Sequence, residues 1–217
     1  MVEVGYYQRG GAVLCGPARH EVESRCQGVE IAEIIVGDKQ VVVHTVKHLE
    51  TCAHAAEAVE APDGSFDAIT VCQCYWYLDP PRAARQFARF LPTGGKVLLL
   101  VMNWLPFEDS IANASEQLVL RYNPSWSGAG EQEQPIVPNP AYNTDFTCTC
   151  QRTWRLQVPF TRESWHGRMR ACRGVGASLT PGDLQSWEQE HRALLERIAP
   201  EQFTVTHYAA LTELTKK

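Results

Sequence analysis

The sequence has no long apolar run. Nothing in it approaches the roughly 18–20 consecutive apolar residues that a membrane-crossing helix needs, so no membrane partner is expected. It has no basic excess either. Lys and Arg total 20 against 25 Asp and Glu, a formal charge of −5. A nucleic-acid partner favours a basic patch, so none is expected. The stretch from Met1 to Gly11 lacks the apolar core of a signal peptide, which makes the cytoplasm the expected location. Gly-x-Ser-x-Gly, Gly-x4-Gly-Lys-Ser/Thr and a complete Gly-x-Gly-x-x-Gly are all absent. Serine-triad and P-loop chemistry therefore find no support. No internal repeat or low-complexity run occurs.

What is present suits one packed domain spanning 1–217, with 44% apolar residues for its core. Eight cysteines are many for this length. Their even number would suit disulfides, but without a secretory signal they read better as reduced, small apolar fillers. Cys72-x-Cys74 and Cys148-x-Cys150 repeat one spacing. Paired thiolates can bind a soft metal or metalloid. Zinc sites, however, favour gaps of about two to four residues. Alternate residues of a strand also share a face, so core filling explains the pattern. No metal is expected.

Residues 62–103 organise the chain. Pro62-Asp63-Gly64 is a turn, and Phe66 to Cys72 is apolar and β-branched enough for a strand. Pro80-Pro81 can open a helix, on which Ala84, Phe87, Ala88 and Leu91 recur at helical spacing. Thr93-Gly94-Gly95 is the expected stop, and Lys96 to Met102 a second strand. Strand, helix and strand with short joints predict a βαβ unit with parallel strands.

This stretch resembles the second half of a class I S-adenosylmethionine (SAM) dependent methyltransferase domain of the type 11 kind. The "PDGSFD" segment before a strand carries the likeness, as does Leu91-Pro92-Thr93-Gly94-Gly95 before an aliphatic strand. The resemblance implies a Rossmann-like α/β fold: a mostly parallel sheet of about seven strands, helices on both faces and an antiparallel edge hairpin. It implies SAM as cofactor and a small-molecule methyl acceptor. Ala12 to His20 is similar to the family's first cofactor motif, but only Gly16 of its glycines is kept. Ala18 stands where the last glycine belongs, and the motif's acid is missing. Asp38, after a strand expected over Val29–Val36, matches the acid that holds the ribose hydroxyls. Its competing role is capping a helix expected over Lys39–Glu50; Glu30 and Glu33 are the lesser ribose candidates. Ala55 occupies the place of an adenine-binding aspartate.

The resemblance puts Cys72 and Gln73 against the methionine part of the cofactor. Tyr75, Trp76 and Tyr77, with Asn103 and Trp104 after the next strand, would wall the substrate. An aromatic wall also attracts a sulfonium by roughly 0.5–2 kcal/mol. His166 and His20 are weak candidates for a general base, their competing role being structural. Residues 123–145, polar and proline-rich, read as a lid or mobile loop. Strands are expected over Phe146–Phe160 and Phe203–Leu214, and helices over Glu108–Tyr122, Thr161–Cys172 and Thr180–Ile198. A short N-terminus leaves room for a homodimer partner to cover the cofactor. Two other functions compete with methyl transfer: a regulatory protein on this scaffold with impaired SAM binding, and a thiol-rich metal-binding protein.

Overall fold

The computed structural model describes Ala56 and residues 59–217 in full. Before them it describes the backbone of five strands. These are β1 (Glu3–Gln8), β2 (Gly11–Cys15), β3 (Ile34–Val36), β4 (Lys39–Val41) and β5 (Leu49–Cys52). Then come β6 (Ala68–Cys72), α1 (Pro80–Phe90), β7 (Lys96–Trp104), α2 (Ser110–Tyr122), β8 (Phe146–Thr161), α3 (Arg162–Arg170), α4 (Pro181–Ile198) and β9 (Gln202–Lys216). The fold is α/β, with a mixed sheet rather than the mostly parallel one expected, ordered β5-β2-β1-β6-β7-β9-β8; β3 and β4 pair separately.

β6 and β7 are parallel in the register Val71↔Leu99, as the βαβ pattern predicts. β2 and β5 are also parallel, with Cys15 opposite Cys52. β9 runs against β7, since Lys216 and Gly95 share one end of the pairing and Thr206 and Leu105 the other. Three expectations need correction. An unforeseen strand, β1, lies between β2 and β6 and is antiparallel to both. Its Val4, Tyr6 and Tyr7 are residues that favour extended backbone. Neither described end of the helix expected over Lys39–Glu50 is helical. β4 pairs back onto β3 instead, in the register Val36↔Lys39, and β5 begins at Leu49. Val41-Val42-Val43 explains the error, because consecutive β-branched residues lose rotamer freedom in a helix. Helix α1 also stops at Phe90, ahead of the glycines. Pro92 forces this, because the residue before a proline avoids helical backbone. Gly94 then turns with φ +81°, and a side chain at Gly95 would meet Leu91 and Pro92 at 2.9 Å.

The chain divides into two compact units. The first holds residues 1–101, 136–152 and 211–217. Its described core is Ile69 and Val71 of β6, Val97 and Leu99 of β7, and Phe87, Phe90 and Leu91, with Tyr142 against Phe87. The buried side of α1 recurs at Ala83, Ala84, Phe87 and Phe90, one face of a helix. Asp79 caps it by accepting the Arg82 N–H at 3.1 Å. Asp79→Ala should cost about 1 kcal/mol in urea unfolding, a typical loss for a cap; no change would mean the helix start is held by Pro80 and Pro81 alone.

The second unit holds 102–135 and 153–210. Trp104, Trp165, Trp187, Met169, Val119, Leu195 and Val205 form its core. Part of the proline-rich loop lies here and is fastened. The Asn123 amide donates to Gly174 O, and a side chain at Gly174 would collide with the Trp126 ring at 2.5 Å. Among the described residues no helix is long and apolar enough to cross a membrane.

Candidate functional site

In the first unit the strand registers set one sheet edge. β1 opposes β2 at Val4↔Cys15 and β6 at Glu3↔Cys72. Being antiparallel to both, it leaves β2 and β6 pointing the same way, two strand spacings apart. That is about 10 Å between the carboxyl ends at Cys15 and Cys72. β5 ends at the same edge, since Cys52 is level with Cys15. In open α/β sheets ligands bind beyond such carboxyl ends.

The chain leaves β6 through a strained turn. Gln73 donates its N–H to Leu100 O at 2.9 Å, extending the β6–β7 pairing by one bond. It then takes φ +59°, the one non-glycine residue with positive φ among those described. Left-handed backbone at such a residue costs of order 1 kcal/mol, and such strain gathers at functional sites. It redirects the chain into a single 3-10 turn, Tyr75–Tyr77. Tyr75 points inward. Its ring lies 6.0 Å from that of Tyr142, and its hydroxyl accepts the Asn139 N–H. Burial pushes its pKa up. Trp76 and Tyr77 remain 60% and 55% exposed.

In the second unit the residues just past β7 border a cavity of about 430 Å³. Its wall includes Leu105, Phe107, Glu108, Glu131, Glu133 and Arg155. The buried Glu116 positions one side. It accepts the Trp104 indole N–H at 2.5 Å and the Gly130 N–H at 2.9 Å. Loss of water around this carboxylate raises its pKa, more than the two hydrogen bonds lower it.

The sequence profile of a family described as a methyltransferase domain matches residues 9–99. Among solved structures, one from Anaeromyxobacter dehalogenans, assigned as a type II methyltransferase, aligns with TM-score 0.50 and 15% identity over 77% of this chain and 72% of its own. The fold is that of the class I methyltransferases. Members of that family use SAM. The YcgJ protein of Bacillus subtilis (TM-score 0.38, 20% identity) covers 78% of this chain and 71% of its own. A protein of Bacillus halodurans assigned as a methyltransferase (0.39, 14%) covers 80% and 72%. No curated protein matches the sequence.

Of the residues expected to hold the methyltransferase cofactor, Cys72 and Gln73 are brought together at the edge; Gly16 and Asp38 lie outside the described residues, as do His20, Glu30, Glu33 and Ala55. With no helix starting at Lys39, the capping role for Asp38 falls away. Where described, the edge carries Cys72 and the left-handed Gln73, with exposed Trp76 and Tyr77 three and four residues on. Asn103 and Trp104 belong to the second unit. Trp104 is core, 6% exposed, with its ring edge-on to Trp165 at 5.5 Å. Asn103 is half-buried and hydrogen-bonds Tyr208.

His166 is also core, 2% exposed. Its hydrogen bonds fix its tautomer. Ser115 Oγ donates to Ile111 O at 2.8 Å and accepts the Trp165 indole N–H at 2.9 Å. Having only one proton, it must accept again from His191 Nε2 at 3.0 Å. His191 Nδ1 is then bare and accepts His166 Nδ1–H at 2.9 Å. This Ser-His-His chain has the outline of a nucleophile relay, but its imidazole gives a proton to the serine rather than taking one. Ser115 is fully buried, so the array packs helices. The stretch read as a lid or mobile loop, 123–145, supplies Glu131 and Glu133 to the wall of the cavity past β7, whereas sequence reasoning did not single out Glu108 or Arg155. Phe107, an aromatic between a proline and two acids in a stretch with no apolar periodicity, was the available signal.

Proposed function

We propose that this protein transfers a methyl group from SAM to a small-molecule acceptor, on a Rossmann-like sheet within one domain. The observation that carries the reading is the left-handed Gln73 turn at the carboxyl end of β6, inside the family match. When bound, SAM supplies an electrophilic methyl group on a sulfonium. Gly16, Asp38, Cys72 and Gln73 hold it, and Trp76 and Tyr77 present aromatic faces toward the reacting end. The chemistry is an in-line displacement, so the chief task of these residues is orientation, worth up to roughly 7–11 kcal/mol when geometry is tight. The protein works in the cytoplasm, without nucleic acid or membrane, and a homodimer partner supplies part of the cofactor cover.

The worn first motif weakens binding. A missing acid removes a charge-assisted hydrogen bond, about 1.5–3 kcal/mol, or roughly ten- to a hundredfold in affinity. Isothermal titration with SAM, competed by S-adenosylhomocysteine, is the test. Binding is expected, and restoring a glycine-rich loop with its acid between Leu14 and Arg19 should tighten it by that factor. No heat and no competition would leave the regulatory reading, which the loss of the motif's acid favours.

A further inference from the structure

We infer that the cavity past β7 in the second unit selects a cationic amine. As a binding site it stands apart from the reading above. Its volume, about 430 Å³, suits a small organic molecule. Three carboxylates face one guanidinium. Arg155 is already committed: its Nε donates to Glu133 at 2.7 Å and its Nη1 to Glu108 at 2.5 Å. Glu131 has only neutral partners, the Tyr208 hydroxyl at 2.6 Å and the Gln134 amide at 3.4 Å. Among the described residues no cationic group pairs with it. The pocket therefore keeps surplus negative charge.

The second, independent feature is Phe107. This aromatic is 68% exposed on the wall rather than packed into the core. Gly130 turns beneath it with φ +76°, and a side chain there would lie 3.6 Å from the ring. The next residue is Glu131. An exposed aromatic ring, whose face attracts a cation, and an uncompensated carboxylate thus border the same space. Glu116, through Gly130, and Tyr208, through Glu131, hold this wall in place without reaching the ligand.

The test is calorimetric titration of the full chain with 2-phenylethylamine and with its neutral counterpart 2-phenylethanol. The amine should bind at least tenfold more tightly. Glu131→Gln keeps a partner for Tyr208 and should abolish the preference. Phe107→Ala, at an exposed position that leaves the core intact, should weaken the amine roughly fivefold. Equal binding of amine and alcohol, or an unchanged preference in Glu131→Gln, overturns the inference, and an unchanged affinity in Phe107→Ala removes the aromatic wall from it. Amine binding without SAM binding would instead overturn methyl transfer and leave this pocket standing. SAM binding with no amine preference does the reverse.

Discussion

Trp165→Ala is expected to lower stability by about 3–5 kcal/mol, as truncation of a fully buried aromatic does. Trp165 has no exposed surface. Its ring meets Trp104 edge-on at 5.5 Å and Phe160 at 5.0 Å, and His207 lies 6.4 Å away. Each aromatic pair adds about 0.5–1.5 kcal/mol beyond simple burial. The indole N–H also satisfies one lone pair of Ser115. Three elements, β7, α2 and β8, lose a shared neighbour at once. Guanidinium unfolding followed by circular dichroism measures the loss. Trp76→Ala, at a 60% exposed position, should change stability by about 0.5 kcal/mol or less. Near-equal losses in the two variants would contradict the placement of Trp165.

Lowering the pH from 7.5 to 5 should destabilise the protein through the buried imidazoles. Burial, then the neighbouring His166, moves His191 from its ordinary 6.5 to about 3. His166 is lowered in the same direction, mainly by burial, with Arg192 and Arg170 adding to it and Glu163 and Glu188 opposing. A base with a depressed folded pKa binds fewer protons folded than unfolded. Its stabilisation is complete above 6.5 and is lost as pH falls toward 3. At pH 5 His191 alone accounts for about 2 kcal/mol. The geometry gives the cause: a proton on His191 Nδ1 would confront the His166 N–H that it now accepts. Glu116 acts oppositely, because burial raises its pKa and its share grows on acidification. The comparison that isolates the histidine is His191→Gln, which should start less stable but show a flatter dependence of stability on pH. An equally steep profile in that variant would remove His191 as the source.

Much of the fold from Pro62 onward was legible because its signals are local. Proline pairs, glycine turns and period-3.6 or period-2 burial placed β6, α1, β7 and the later helices within a few residues. Thr180 and Thr161 announced two helix starts, and both cap them. β1 was not legible, since a six-residue strand has no marker beyond β-favouring residues, and what fixes it is pairing with β2 and β6. What was legible near Cys72 and Gln73 is the strand end itself, because the β-branched run stops there. Trp104 was misread as a wall because alternation along β7 says which residues share a face, not which face meets the core. The amine pocket was hidden in charges, since nothing in sequence shows that Arg155 is paired twice while Glu131, among the described residues, meets only neutral groups.

The strand order has a consequence for synthesis. β9 follows β8 in the chain but lies between β7 and β8. Until it leaves the ribosome, two strands that flank it have no partner on that side. β8, sixteen residues long, waits with its backbone donors and acceptors unmet on both edges. Exposed strands of this kind template pairing with other chains. The nascent protein is therefore most vulnerable to aggregation while α3 and α4 are being translated. A chaperone that shields β8 in that interval would raise the yield of folded protein without altering its final stability.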